Sequence, residues 1–113
     1  NLVVGRLNGV IAGTLQLSYE APNIESRKNI AQIKRHFVAP WARGYGLAKS
    51  MIDFSEQKAK EDNIKSIQLA VRETQDAAVQ LFSSKDYKIW GENQYYAYIN
   101  GSFIKGIYFY KNL

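Results

Sequence analysis

Leu15, Leu17 and Tyr19 alternate with polar residues at the end of a segment that begins at Val10, and Asn8-Gly9 separates this segment from the mainly apolar Leu2 to Leu7. Asn-Gly accepts positive φ at both turn positions, so this pattern predicts a hairpin with a tight turn. The polar stretch Glu20 to Asn29, which contains Pro22, predicts a connecting loop, and Ile30 to Val38 reads as a strand. From Tyr45 to about Asn63 the spacing changes. Leu47, Ala48, Met51, Ile52 and Ala59 fall on one helical stripe with charges opposite. Ile64 to Val71, with Ile67, Leu69 and Val71 alternating, predicts a strand parallel to Ile30 to Val38, because a helix separates the two. Thr74 is placed to cap a short helix burying Ala77, Ala78, Leu81 and Phe82. Asn100-Gly101 then turns a last hairpin between Tyr95 to Ile99 and Phe103 to Tyr110, bulged near Gly91. The order strand, strand, strand, helix, strand, helix, strand, strand predicts a mixed sheet with helices, an α/β or α+β sandwich.

Composition narrows the chemistry. With 113 residues and no internal repeat or linker, residues 1–113 read as one domain. The absence of cysteine removes disulfides and a thiol nucleophile and fits a reducing compartment. One histidine and no cysteine exclude a Cys/His zinc site, so no metal is expected. A Ser-His-Asp hydrolase would have to use His36, and the Gly-x-Ser-x-Gly elbow is absent. No apolar run approaches the roughly 18 residues of a membrane span, and no signal peptide is evident. A cytoplasmic address and no membrane partner are the expectation. The net charge of +5 suits a polyanionic ligand, with Arg27-Lys28 and Lys34-Arg35-His36 leading toward Arg43 and Lys49. These residues are spread out, and the aromatics form no RNA-binding signature, which argues against nucleic acid.

The segment Arg43-Gly44-Tyr45-Gly46-Leu47-Ala48 lies between the strand-like run ending Phe37-Val38-Ala39-Pro40 and the amphipathic helix. Glycines let the backbone approach an anion, N–H groups point into the turn, and the positive end of the helix adds attraction. Arg43 puts a formal charge at the mouth. A P-loop would need Gly-Lys-Ser/Thr, whereas Gly46 is followed by Leu47-Ala48-Lys49, and a Rossmann fingerprint would need a third glycine.

The spacing Arg-x-x-Gly-x-Ala resembles the pyrophosphate loop, (Gln/Arg)-x-x-Gly-x-(Gly/Ala), of the GNAT superfamily of acyl-CoA-dependent N-acetyltransferases. Val38-Ala39-Pro40 resembles the family's Val-x-Pro lead-in. The run from Gln75 to Tyr87 resembles Asn-x-x-Ala-x-x-Leu-Tyr-x-x-x-Gly-Phe, and the closing Tyr108 to Leu113 resembles its last strand. The resemblance implies a mostly antiparallel mixed sheet with a central splayed pair of parallel strands and flanking helices. It also implies that the family's first strand and first helices are missing. Acetyl-CoA is the implied cosubstrate, with backbone groups of His36, Phe37 and Val38 along the pantetheine arm and Val38 N–H as an oxyanion donor. Arg43, Gly44, Tyr45, Gly46, Leu47 and Ala48 would hold the pyrophosphate.

The same resemblance places Gln75 where the family has Asn, beside the pantetheine. Phe82 stands where the family keeps the Tyr that protonates the thiolate, and Asp86-Tyr87 replace Gly-Phe. The candidate base is His36, whose ordinary pKa suits the task, although its side chain can face either side of the sheet. Gln32, near a position where some members have Glu, cannot be a base. A water chain with Glu73, Glu92 or Tyr95 is the alternative. Tyr95, or its neighbours Tyr96 and Tyr98, could replace the missing acid, wall an acceptor pocket or simply pack the sheet. The implied activity is acetyl transfer to a primary amine, of a small molecule or a peptide, by direct attack. A non-catalytic acyl-CoA-binding module that lost the acid, and a basic interaction domain, are the other readings. The terminal hairpin offers strands for a homodimer.

Overall fold

Asn8 and Gly9, with φ of 54° and 79°, turn β1 (Leu2–Leu7) back onto β2 (Val10–Tyr19) in the tight hairpin their sequence predicts. The computed structural model describes residues 1–20 and 23–113, so Pro22 of the predicted loop lies outside the described residues. β3 (Ile30–Val38) pairs antiparallel with β2 and has the predicted bounds. A single 3-10 turn, Pro40–Ala42, leads to helix α1 (Leu47–Glu61). These elements, with the start of β4 (Ser66–Arg72) and the last two residues, form the first of two compact units, Asn1–Ile67 with Asn112–Leu113. Its core is Val3, Leu15, Leu17, Ala31, Ile33, Met51, Ile52 and Ala59, all buried. Removing that apolar surface from water stabilises the unit by roughly 25 cal/mol per Å².

The helix begins two residues later than the Tyr45 start predicted from the sequence, because Gly44 and Gly46 take positive φ and hold Tyr45 in the loop. It ends on a Schellman motif. Asn63 adopts φ 63°, its N–H donates to Lys60 C=O at 3.1 Å, and Ile64 N–H donates to Ala59 C=O at 2.9 Å. That capping role takes Ile64 out of the predicted strand, which starts instead at Ser66.

The second unit, Gln68–Lys111, contains most of β4, helix α2 (Asp76–Ser84) and the hairpin of β5 (Lys88–Ile99) and β6 (Ser102–Asn112). Thr74 is not the cap of α2. Gln75 N–H closes a turn on Arg72 C=O at 2.9 Å, which moves the cap position to Gln75 and leaves Ala77 exposed. α2 also ends on a Schellman motif, with Asp86 at φ 68° and Tyr87 N–H donating to Phe82 C=O at 3.0 Å. Tyr87 then packs edge-on against Phe82, with ring centroids 5.2 Å apart, as the contact that accompanies such a cap. Asn100 and Gly101 turn the hairpin at φ 51° and 80°. The predicted irregularity near Gly91 is present, and a second one lies between Asn93 and Ala97. The strand order is β1-β2-β3-β4-β6-β5, mostly antiparallel with β3 and β4 as the parallel pair.

Candidate functional site

The candidate anion site of the first unit is set by backbone geometry. After β3, Ala39 N–H donates to Ala12 C=O at 2.8 Å and Ala42 N–H to Ala39 C=O at 2.9 Å, which fixes the chain before the loop. Arg43 is extended, at φ −70° and ψ 149°, while Gly44 and Gly46 have φ of 89° and 74°. A Cβ built on either glycine would meet no heavy atom within 4 Å beyond the glycine's own chain neighbours. Glycine is therefore required here by conformation and not by packing, and the loop presents an open cradle. α1 is capped by Gly46 with no side-chain hydrogen bond, and its first internal bond runs from Ser50 N–H to Gly46 C=O at 3.0 Å. The N–H groups of Leu47, Ala48 and Lys49 precede that bond and lie at the positive end of the helix. No acidic residue occupies the first turn, so no carboxylate competes for an anion there, while Arg43 and Lys49 are exposed nearby in sequence. The donors and charges present fit a pyrophosphate.

A feature missed in the sequence holds the helix in place. Gly5 of β1 and Gly13 of β2 are register partners, and together they form a notch under the first turns of α1. A Cβ on Gly5 would sit 2.7 Å from Leu47 Cδ1 and 3.0 Å from Met51 Sδ, and one on Gly13 would sit 2.9 Å from Met51 Cε. Two glycines inside predicted strands were the available signal, since such glycines mark close approach of another element.

β3 carries a bulge near its C-terminal end, just before the candidate residues His36, Phe37 and Val38. Thr14 pairs with Phe37 but Gln16 pairs with Lys34, so β3 has an extra residue there, and Arg35 adopts φ 51°. Arg35 Nη1 donates to Gln16 Oε1 across the bulge. The extra residue reverses the strand's parity. Ala31 and Ile33 are buried before it, whereas His36 and Val38 are the half-buried positions after it and Phe37 is exposed. Because Ala39 bonds to Ala12, the antiparallel alternation turns Phe37 N–H and C=O toward β2 and turns those of Val38 away from it. Burial holds the His36 pKa below its ordinary value of 6.5, so the ring is neutral at pH 7.

The remaining candidates belong to the second unit. Gln75 is exposed at the start of α2, and its C=O accepts from Val79 N–H at 3.1 Å while its amide side chain makes no cap bond. Phe82 is a core residue, 1 % exposed and 6.2 Å from the Phe109 ring. Lys105 Nζ lies 3.7 Å from Glu73 Oε2 and 3.4 Å from Glu92 Oε2, which ties both carboxylates to one cation. Tyr95 stands exposed in the second bulge, its N–H donating to Asn93 Oδ1 at 3.0 Å. Tyr96 covers Gly106, whose Cβ, if present, would overlap the ring. Among the described residues no group of three or more His, Asp or Glu side chains could hold a metal ion, and no helix is long and apolar enough to cross a membrane.

The model of the Acetyltransferase (GNAT) family matches residues 1–87. The chain belongs to this family. A curated relative from Azospirillum brasilense, an uncharacterized N-acetyltransferase in the hisH-hisA intergenic region, is 46% identical over 74 residues, 66% of this chain and 44% of that protein. Among solved structures, the ribosomal-protein-alanine N-acetyltransferase from Brucella melitensis is 18% identical with a TM-score of 0.86, covering 99% of this chain and 68% of that one. A GNAT-family acetyltransferase from Streptococcus pneumoniae is 24% identical with a TM-score of 0.87, covering 96% and 64%. The yncA protein from Salmonella typhimurium, solved with its cofactor acetyl-CoA, is 14% identical with a TM-score of 0.87, covering 99% and 64%. At these identities the structural likeness concerns the fold of the GNAT family. The matched segment is less than half of the curated relative, and the chain spans about two thirds of these solved structures.

Proposed function

We propose that this GNAT chain binds acetyl-CoA and transfers its acetyl group to a primary amine of a small molecule or a peptide by direct attack, with residues 1–113 acting as one domain. The observation that carries the reading is the open Gly44 and Gly46 cradle at the uncapped start of α1, with no carboxylate in the first turn. In this reading the N–H groups of Leu47, Ala48 and Lys49 donate to the pyrophosphate oxygens, and Arg43 adds a screened surface charge. The glycines at 44 and 46 keep side chains out of that space, with Tyr45 exposed between them. When bound, acetyl-CoA supplies the thioester carbonyl that the amine attacks. Val38 N–H, turned away from β2, is the oxyanion donor, and the β3 bulge is what gives Val38 and His36 their orientation.

His36 is the base in this reading. A neutral imidazole can take a proton from an ammonium or a water, and burial favours the neutral form. Its pKa is lower in the folded chain than in the unfolded one, so the unfolded state binds the extra proton first as pH falls. The stability this group allows is fully present above about pH 6.5 and is lost as pH drops through the folded value. His36→Gln should flatten that acid limb in thermal melts between pH 7 and pH 5, and should remove the acid limb of the rate profile if His36 is the base. The role of Gln75 beside the pantetheine rests on the family resemblance alone, and that of Tyr95 as replacement acid rests on its place in the Tyr95-Tyr96-Ala97-Tyr98 cluster.

One observation favours a second reading, a non-catalytic acyl-CoA-binding module. Phe82 fills the core at the family's tyrosine position and has no hydroxyl to give. The two readings separate in one assay, release of coenzyme A thiol from acetyl-CoA over a panel of amino acids, polyamines and peptide N-termini. Turnover well above hydrolysis without amine supports the transferase. Tight acetyl-CoA binding with no turnover on any member of the panel supports the module.

A further inference from the structure

We propose that Trp41 and Tyr45 form a stacking platform for the adenine of coenzyme A, so that this loop selects an acyl donor carrying a nucleotide over one whose pantetheine carries none. The inference rests on the acetyl-CoA reading above. Trp41 and Tyr45 stand two residues either side of Arg43, in the loop that contains the Gly44 and Gly46 cradle. Trp41 is 57 % and Tyr45 69 % exposed, so the two largest side chains of the loop add little to the core of the first unit.

The backbone that carries these rings is held in place. Ala42, next to Trp41, is fully buried, its N–H donates to Ala39 C=O at 2.9 Å, and Ala39 N–H in turn donates to Ala12 C=O of β2. Pro40 fixes its own φ at the start of the same turn. Trp41 therefore projects from a turn pinned to the sheet. Tyr45 lies between two left-handed glycines, with open space where either Cβ would stand. A ring on a fixed backbone has only two side-chain torsions to lose when it meets a flat ligand.

Size and chemistry identify the occupant. At about 150–250 Å² per aromatic side chain, the exposed parts of the two rings present about 250 Å². A specific protein interface takes about 800 Å² from each partner, so this patch is too small for one. It suits a single base, which is planar, uncharged and able to stack without a fixed hydrogen-bond partner. The base also arrives with the anion. In coenzyme A the adenosine is joined to the pyrophosphate itself, whereas the thioester lies at the far end of the pantetheine. A pyrophosphate on the N–H groups of Leu47, Ala48 and Lys49 therefore leaves the adenosine beside the loop. Tyr45 adjoins both cradle glycines, and at about 3.8 Å per residue Trp41 lies at most about 11 Å from Gly44 between Cα atoms, a span that an indole and a ribose cover together.

Calorimetric titration of the full chain with coenzyme A and with 4′-phosphopantetheine, which lacks the adenosine, tests the platform. Trp41→Ala and Tyr45→Ala should each weaken coenzyme A by about 5-fold to 100-fold, the scale of base stacking, and leave phosphopantetheine within about twofold. Melting temperatures should change little, because both rings are exposed. If a variant does not fold, NMR of the unaltered chain gives the same answer: the adenine ring protons of bound coenzyme A should show cross-relaxation to the rings of Trp41 and Tyr45. Unchanged coenzyme A affinity in either variant, equal weakening of both ligands, or cross-relaxation from adenine to other residues alone would overturn the platform and leave the acetyl-CoA reading standing. An unaltered chain that binds neither ligand would overturn that reading, and the platform with it.

Discussion

Gly13 on β2 and Gly106 on β6 do the same local thing in the two units, and the consequences differ. Each is a strand glycine with a side chain pressed onto its backbone, Met51 over Gly13 and the Tyr96 ring over Gly106. At Gly13 the covering residue belongs to α1, so close approach sets how near the first turns of that helix lie to β2, next to the loop from Arg43 to Ala48. At Gly106 the covering residue belongs to the neighbouring strand, so close approach only shields the hairpin. In the first unit, then, a small residue supports a candidate site built of backbone groups. In the second, it supports an aromatic surface built of side chains.

The largest expected effect tests that contrast directly. Gly13→Ala places a methyl 2.9 Å from Met51 Cε and 3.0 Å from Phe37 C=O, and Gly106→Ala places one inside the space of Tyr96. Each should lower stability by about 1–3 kcal/mol, as overpacking does. Only Gly13→Ala should also weaken coenzyme A, because only there does the clash displace the start of α1. Urea melts and calorimetric titration on the two variants check this. Equal affinity in both would mean that the notch does not position the loop.

A smaller effect sharpens it. Gly9 and Gly46 have nearly the same φ, 79° and 74°, and in both a Cβ meets no atom within 4 Å. Alanine at either should cost about 1–2 kcal/mol of left-handed strain. Gly46→Ala should in addition raise the coenzyme A dissociation constant by at least about tenfold, on the scale of one charge-assisted hydrogen bond. Loss of stability without loss of affinity would reduce the loop to a turn. The smallest effect belongs to α2, where Asp86 at φ 68° occupies the left-handed cap position that glycine suits best. Asp86→Gly should stabilise the chain by about 0.5–1 kcal/mol in thermal or urea melts, with coenzyme A affinity unchanged.

Much of this was legible in the sequence where the cause is local. Asn8-Gly9 and Asn100-Gly101 both turn as their conformational preferences require, and Ile30–Val38 is the strand its apolar pattern predicts. The loop between β3 and α1 was readable from Gly44 and Gly46, which take the left-handed conformation, and from its place before a helix. The features that depend on a partner strand were not. The bulge at Arg35 exists only in the register between β2 and β3, and nothing in Lys34-Arg35-His36 marks it, yet it decides which way His36 faces. The Gly5 and Gly13 notch likewise appears only once the two strands are paired. Thr74 had the residue type of a cap, but the turn from Arg72 to Gln75 overrode that preference. Asp86-Tyr87 read as a departure from Gly-Phe. In the fold they form a left-handed cap, with aspartate tolerating the left-handed conformation and Tyr87 making the apolar contact to Phe82.

The central claim is that the loop from Arg43 to Ala48 is a coenzyme A pyrophosphate site, and thermal denaturation with added ligand tests it most directly. A ligand that binds only the folded chain raises its stability by mass action, by about 2.7 kcal/mol at a hundred times its dissociation constant. Acetyl-CoA and coenzyme A should raise the melting temperature in a concentration-dependent way, while NAD and ATP with magnesium at equal concentration should do far less. A larger shift with ATP and magnesium than with coenzyme A, or no shift with coenzyme A at millimolar concentration, would contradict the account.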